Sequence, residues 1–174
     1  MPGLSEAQRE TYGKPRMSYP DFDARPSGLQ TKDAKIGTGE PARLGDRIVF
    51  TWEGYTIGYY GRPFEKTDSV KGGAFDASAE YARFVIGKHE VIPGLEEAML
   101  GMQIGGVRQI VVPPELSYPD SDPSHDKVGP KPSTFSGQRA LDFVLFNKGL
   151  IDKTLLFNVK VQRIDRPGDR GFKS

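Results

Sequence analysis

The sequence predicts an α+β domain: an antiparallel sheet of five or six strands wrapped around one short helix, with a pocket between helix and sheet. Two observations predict it. Residues 81–118, YARFVIGKHEVIPGLEEAMLGMQIGGVRQIVVPPELSY, hold a strand, a turn, a short helix and a second strand in under forty residues, so the helix must lie back on the sheet. Two further strand-like runs, Leu29–Ile36 and Asp46–Tyr55, precede that stretch, separated by the turn-rich string GTGEPARLGD.

Taken in order, residues 1–27 carry Pro2, Pro15, Pro20 and Pro26 with balanced charge and no sustained period, the composition of an extended, mobile arm. Tyr12, Met17, Tyr19 and Phe22, interleaved with Arg16 and Arg25, are either anchors on a partner or part of an unstructured terminus. In Asp46–Tyr55, Ile48, Phe50 and Trp52 share one face and Val49 and Thr51 the other. Residues 56–74 read as a protruding loop, a partner contact or neutral decoration. Phe84, Val85 and Ile86 read as a strand closed by Gly87. Pro93 suits the first helical position, and Glu96 and Glu97 suit the positive end of a helix. Leu95, Met99 and Met102 then face inward, and Gly101 or Gly105 stops the helix. Val107–Val112 is a strand that Pro113-Pro114 ends, because proline has no N–H for the ladder.

After Tyr118 the chain is turn chemistry until Ser136, a candidate N-cap. Leu141, Val144 and Leu145 recur at i, i+3 and i+4, flanked by Phe143 and Phe146, and Gly149 is a stop. This amphipathic helix either covers the core or offers an apolar face to another protein.

Composition excludes several functions. Net charge is +1, with 24 Lys+Arg against 23 Asp+Glu, so there is no basic footprint for nucleic acid. The absence of cysteine removes disulfides, thiolate catalysis and Cys-based metal sites. No apolar run reaches the length of a membrane span, and MPGLSEAQRE has no hydrophobic signal region, as expected of a mature form. His125 lies among Asp120, Asp122 and Asp126 in a Pro-rich loop and is expected to be solvated rather than to bind metal. Glu96 and Glu97 are adjacent on a helix and do not face each other, so they form no acid–base pair. No cofactor is expected.

The string GKHEVIPGLEEAMLGMQIGGVRQIVVPPELSY closely resembles the core of the FKBP-type peptidyl-prolyl isomerases, the rapamycin-binding immunophilins. The resemblance runs in order over roughly Leu29–Ile164. Gly45-Asp46 with IVFTWEGY resembles the family's second strand, Phe75-Asp76-Ala77-Ser78 its FDSS motif, and KTLLFNVKVQRI its closing strand. It implies a domain over residues 28–166 with insertions at about 56–74 and 119–150, followed by a tail over 167–174. GPKPSTFSGQRALDFVLFNKGLIDKTLLF further resembles the chloroplast FKBPs of plants and green algae, which implies the thylakoid lumen.

Isomerising a prolyl bond needs no nucleophile or metal. The barrier, about 18–20 kcal/mol, is amide resonance, so a catalyst must favour the twisted amide. An apolar cup helps, because it strips water from a ground state more polar than the twisted form. An acceleration of roughly 10⁴ takes only about 5.4 kcal/mol of differential stabilisation. The resemblance implies such a cup from Phe75, Trp52, Val91, Ile92, Leu95 and Phe157. It places the Ile92 backbone N–H on a ligand carbonyl, the Tyr118 phenol on the amide next to the proline ring, and Asp76 where a carboxylate orients polar groups. Four departures stand out: Trp52 for the usual tyrosine, Leu95 for a frequent tryptophan, no match in Ala77–Ala82 for an arginine and an aromatic, and Pro119 for a glycine. Two functions therefore stay open. One is an isomerase of low activity on prolyl clients. The other is an FKBP-like binding module that assembles or accompanies a photosynthetic membrane complex through residues 1–27 and 119–150.

Overall fold

The computed structural model describes residues 18–66, 81–149 and 151–168. Seven strands form one antiparallel sheet: β1 (Asp23–Ala24), β2 (Gln30–Lys35), β3 (Arg47–Thr56), β4 (Pro63–Glu65), β5 (Ala82–Val85), β6 (Val107–Val112) and β7 (Leu155–Asp165). Among the described residues three α-helices, α1 (Gly58–Gly61), α2 (Pro93–Met99) and α3 (Phe135–Leu145), and a 3-10 turn over Pro114–Leu116 accompany them. The α+β class stands, with seven strands where five or six were expected. The surplus comes from β1 and β4, two and three residues long, too short to show an alternating pattern.

The sheet order is β1-β2-β6-β7-β3-β4, with β5 also paired to β3. β3 is the centre. One edge pairs with β7 from Arg47↔Asp165 to Thr56↔Leu155. The other edge is shared, β5 beside Arg47–Phe50 and β4 beside Gly54 and Tyr55. Ile48, Phe50 and Trp52 point into the main core, the face the alternation predicts. β1 lies within the stretch read as an arm and pairs with Gln30 and Thr31 of β2. Arg25 and Ser27 just after it reach α2, Nη1 donating to the Glu97 carbonyl at 3.1 Å and Oγ to the Glu97 carboxylate at 3.0 Å.

α2 begins on Pro93 and lays Leu95, Ala98 and Met99 fully buried on the sheet. It stops where Gly101 takes φ +88°, a left-handed position that a glycine adopts without Cβ strain. The insertion helix α3 differs from expectation at both ends. Its N-cap is Thr134 rather than Ser136, the Thr134 hydroxyl accepting from the Gly137 N–H at 3.0 Å. It ends at Leu145, capped by Phe146, four residues before Gly149, which is no part of the stop. Its Ala140, Leu141 and Val144 are buried, Ala140 and Leu141 within the main core, so α3 packs on its own domain. Phe135, Phe143 and Phe146 stay exposed on its outside.

Candidate prolyl-peptide site

The centre of the site is a cluster of three rings. The Trp52 ring of β3 lies 5.9 Å from Phe157 of β7 and 6.0 Å from Phe64 of β4, and Phe64 meets Phe157 edge-on at 5.7 Å. Such tilted and edge-on pairs suit aromatic quadrupoles. Val91, Ile92 and Leu95, at the mouth and on the inner face of α2, belong to the same buried core. Five of the expected site residues, Trp52, Val91, Ile92, Leu95 and Phe157, are thus brought together, all at 5% exposure or less.

Two donors stand at the rim, the Ile92 backbone N–H and the Tyr118 hydroxyl. Burial pushes the Tyr118 pKa well above the ordinary 10.0, and the negative charges of Glu65 and Asp142 add to the rise, so the phenol is a neutral donor at any physiological pH. Both donors already hold carbonyl oxygens from the 119–150 insertion. Ile92 N–H donates to the Gly129 carbonyl at 2.8 Å, and Tyr118 Oη donates to the Pro130 carbonyl at 2.6 Å. Gly129 N–H donates in turn to the Glu90 carbonyl at 2.9 Å, so Gly129 runs as a one-residue parallel bridge beside Val91. Pro130 and Pro132 are buried.

Phe75 and Asp76 lie outside the described residues. In β4 a second phenylalanine–acid pair, Phe64-Glu65, takes part in the cup. Of the stretch read as a protruding loop, residues 67–74 lie outside the described residues; in 56–66, α1 turns the chain back through exposed residues 60–63, and Phe64 and Glu65 are buried. The Glu65 carboxylate accepts from Ser133 N–H at 3.0 Å and Ser133 Oγ at 2.9 Å, fixing the far end of the Gly129–Ser133 segment. This pair could have been found from Gly61-Arg62-Pro63, a turn signal that returns the chain against β3 and aims the first apolar residue after it inward.

His125 also departs from expectation. It is not solvated but 3% exposed, its ring 4.7 Å from Tyr118 and stacked at 6.5 Å on Phe146, with Nε2 2.7 Å from Asp142 Oδ1. It thus backs the phenol and ties the loop to α3. Beside it lies an open cleft of about 640 Å³, lined among others by Val91, Pro93, Tyr118, His125, Val128 and Phe146. Among the described residues of the expected site the cleft shares only Val91 and Tyr118, so it is a neighbour of the cup and not its interior. Among the described residues there is no group of three or more His, Cys, Asp or Glu placed to hold a metal. None of their helices is long and apolar enough to cross a membrane.

Comparison with known proteins identifies the family and the fold. Residues 38–162 match the family model described as FKBP-type peptidyl-prolyl cis-trans isomerase. Over 165 residues the chain is 56% identical to the chloroplastic peptidyl-prolyl cis-trans isomerase FKBP19 of Arabidopsis thaliana, an alignment that covers 94% of this chain and 62% of that one. The chain therefore spans less than two thirds of that relative's length. Among solved structures, AtFKBP13 superposes with a TM-score of 0.51 at 26% identity, over 80% of this chain and 95% of that one. FkpA from Escherichia coli superposes with a TM-score of 0.55 at 22% identity, over 85% and 53%. The latter likeness speaks to fold alone.

Proposed function

As the chain belongs to the FKBP-type peptidyl-prolyl cis-trans isomerase family, we propose that it is an isomerase of low activity, acting on prolyl segments of proteins that fold or assemble in the chloroplast lumen. The compartment is supported by the chloroplastic relative and by the resemblance of the insertion to chloroplast FKBPs. In this reading Trp52, Phe64, Val91, Ile92, Leu95 and Phe157 form the cup that desolvates the prolyl amide. The Ile92 N–H and the Tyr118 hydroxyl hold the carbonyls on either side of the proline. Glu65 orients polar groups of the peptide beyond it, the part that the family resemblance gives to Asp76.

One observation carries the proposal. Both donors already bind the two carbonyls that flank a buried proline, Pro130. A protease-coupled isomerisation assay on Ala-Leu-Pro-Phe-type peptides tests it. The chain should exceed the uncatalysed rate, and Tyr118→Phe should lower kcat/KM about three- to tenfold, the worth of one net hydrogen bond. Comparing Phe64→Leu with Phe75→Leu decides which phenylalanine serves, and the larger loss is expected at Phe64. The uncatalysed rate in the folded chain and also in a Pro130→Gly/Ser133→Ala variant would overturn the isomerase reading.

The second reading is a binding module that accompanies a thylakoid membrane complex. It is favoured by the closure of the cup, whose residues are buried and whose rim donors are engaged by the insertion.

A further inference from the structure

We propose that residues 129–133, Gly-Pro-Lys-Pro-Ser, are an internal ligand: a strap that occupies the prolyl-peptide site and that any client must displace in the same register. The inference rests on the reading that the cup is that site, and it extends it to self-occupation and to the chemistry of the occupant.

Three independent anchors hold the strap, each on a group of the site. At its start, Gly129 exchanges backbone hydrogen bonds with the α2 mouth, donating to the Glu90 carbonyl at 2.9 Å and accepting from Ile92 N–H at 2.8 Å. In its middle, the buried Pro130 gives its carbonyl to Tyr118 Oη at 2.6 Å. At its end, Ser133 places both N–H and Oγ on the Glu65 carboxylate, which is 8% exposed. The following residue, Thr134, caps α3, and Gln138 Nε2 of that helix donates to the Pro132 carbonyl at 3.3 Å, so the strap is tied down by the helix the insertion builds. A loop that merely passed over the cup would not satisfy its donors and its carboxylate in sequence.

The register describes what the site accepts. The residue before proline must bridge alongside Val91 through its backbone, and it is here a glycine. The proline must be followed, three positions on, by a residue with a hydroxyl donor that reaches Glu65. The ligand class is thus a proline-containing segment with Ser or Thr at the third position after proline. A free peptide competes with a tethered copy whose effective concentration is in the millimolar range, so its apparent affinity falls by the fraction of chains with the strap open.

The test uses the full chain, the Pro130→Gly/Ser133→Ala variant, and a seven-residue peptide copying residues 128–134, Val-Gly-Pro-Lys-Pro-Ser-Thr, with binding read from the resonances of the Trp52 indole and the Ile92 amide. The variant should bind the peptide at least about tenfold more tightly than the unaltered chain. A peptide with alanine in place of the first proline should bind the variant at least about tenfold more weakly than the parent peptide. Equal binding by chain and variant, or binding by neither, overturns the strap. Hydrogen exchange on the unaltered chain decides the matter even if the variant fails to fold. An Ile92 amide protected as well as the Val159 amide in the sheet supports the strap, and one that exchanges freely overturns it. Binding rather than turnover is read, so a variant that binds the peptide without accelerating isomerisation supports the strap while overturning the isomerase reading.

Discussion

Phe64 shows how much one residue decides in this fold. Its side chain is 1% exposed and wedged between Trp52 and Phe157, and its ring lies where a Cβ on Gly54 would sit, 2.4 Å away, so β3 must carry a glycine opposite β4. Removing the ring leaves a cavity that the sheet cannot close, because β3 and β7 pair along their whole length on that side. Phe64→Ala should therefore cost about 3–5 kcal/mol, whereas Leu44→Ala at an exposed position should stay within about 0.5 kcal/mol. Urea unfolding followed by the single tryptophan, Trp52, measures both, and a Phe64→Ala midpoint equal to that of the unaltered chain would remove Phe64 from the cup. It was the family resemblance, carried by motifs in order along the chain, that pointed to Trp52, Val91, Ile92, Leu95, Tyr118 and Phe157, and all six are buried. Phe64-Glu65 was hidden by a strand of three residues that offers no period to read.

Among the elements, α3 is the one whose existence was legible and whose limits were not. The i, i+3, i+4 stripe at Leu141, Val144 and Leu145 marks the buried face, but Thr134 and Ser136 are both competent caps, and only backbone geometry separates them: Thr134 is extended and its hydroxyl reaches Gly137 N–H. The helix also approaches β4 so closely that a Cβ on Gly137 would meet the Phe64 carbonyl oxygen at 2.2 Å. Intrinsic propensity and packing then pull in opposite directions. Gly137→Ala gains about 1 kcal/mol as a helix former, yet it must push α3 off the strand that carries Phe64 and Glu65, so it should lower stability on balance. Thr134→Ala should cost about 1 kcal/mol and Ser136→Ala a few tenths. Thermal unfolding of the three variants gives the order. A stabilised Gly137→Ala would mean that α3 is not seated on β4 as described.

At the scale of the whole molecule, the sheet was legible because its long strands alternate and its turns are marked, whereas the strap was not, because it joins residues far apart in the chain. Nothing local in Gly129–Ser133 announces Glu65, Ile92 and Tyr118 as its partners. What holds the insertion in place is partly electrostatic. Asp122 accepts backbone hydrogen bonds from Val128 N–H at 2.8 Å and Lys127 N–H at 2.9 Å, and these hold its pKa below the ordinary 3.8. Asp126 is lowered by its hydrogen bonds with Lys131 and Ser124. A carboxylate depressed in the folded state contributes stability that is fully present above its unfolded pKa, near 3.9, and is lost as pH falls through the lower folded value. Acid should therefore loosen the loop that delivers the strap. The stability difference between the unaltered chain and Asp122→Asn should be constant above about pH 5 and should close as the pH falls below about 4. Urea midpoints across that range, with Ile92 amide exchange measured in parallel, check it. A gap that persists undiminished to about pH 2.5 would mean that the Asp122 charge does not hold the loop, and that the strap is kept in the cup by Gly129, Pro130 and Ser133 alone.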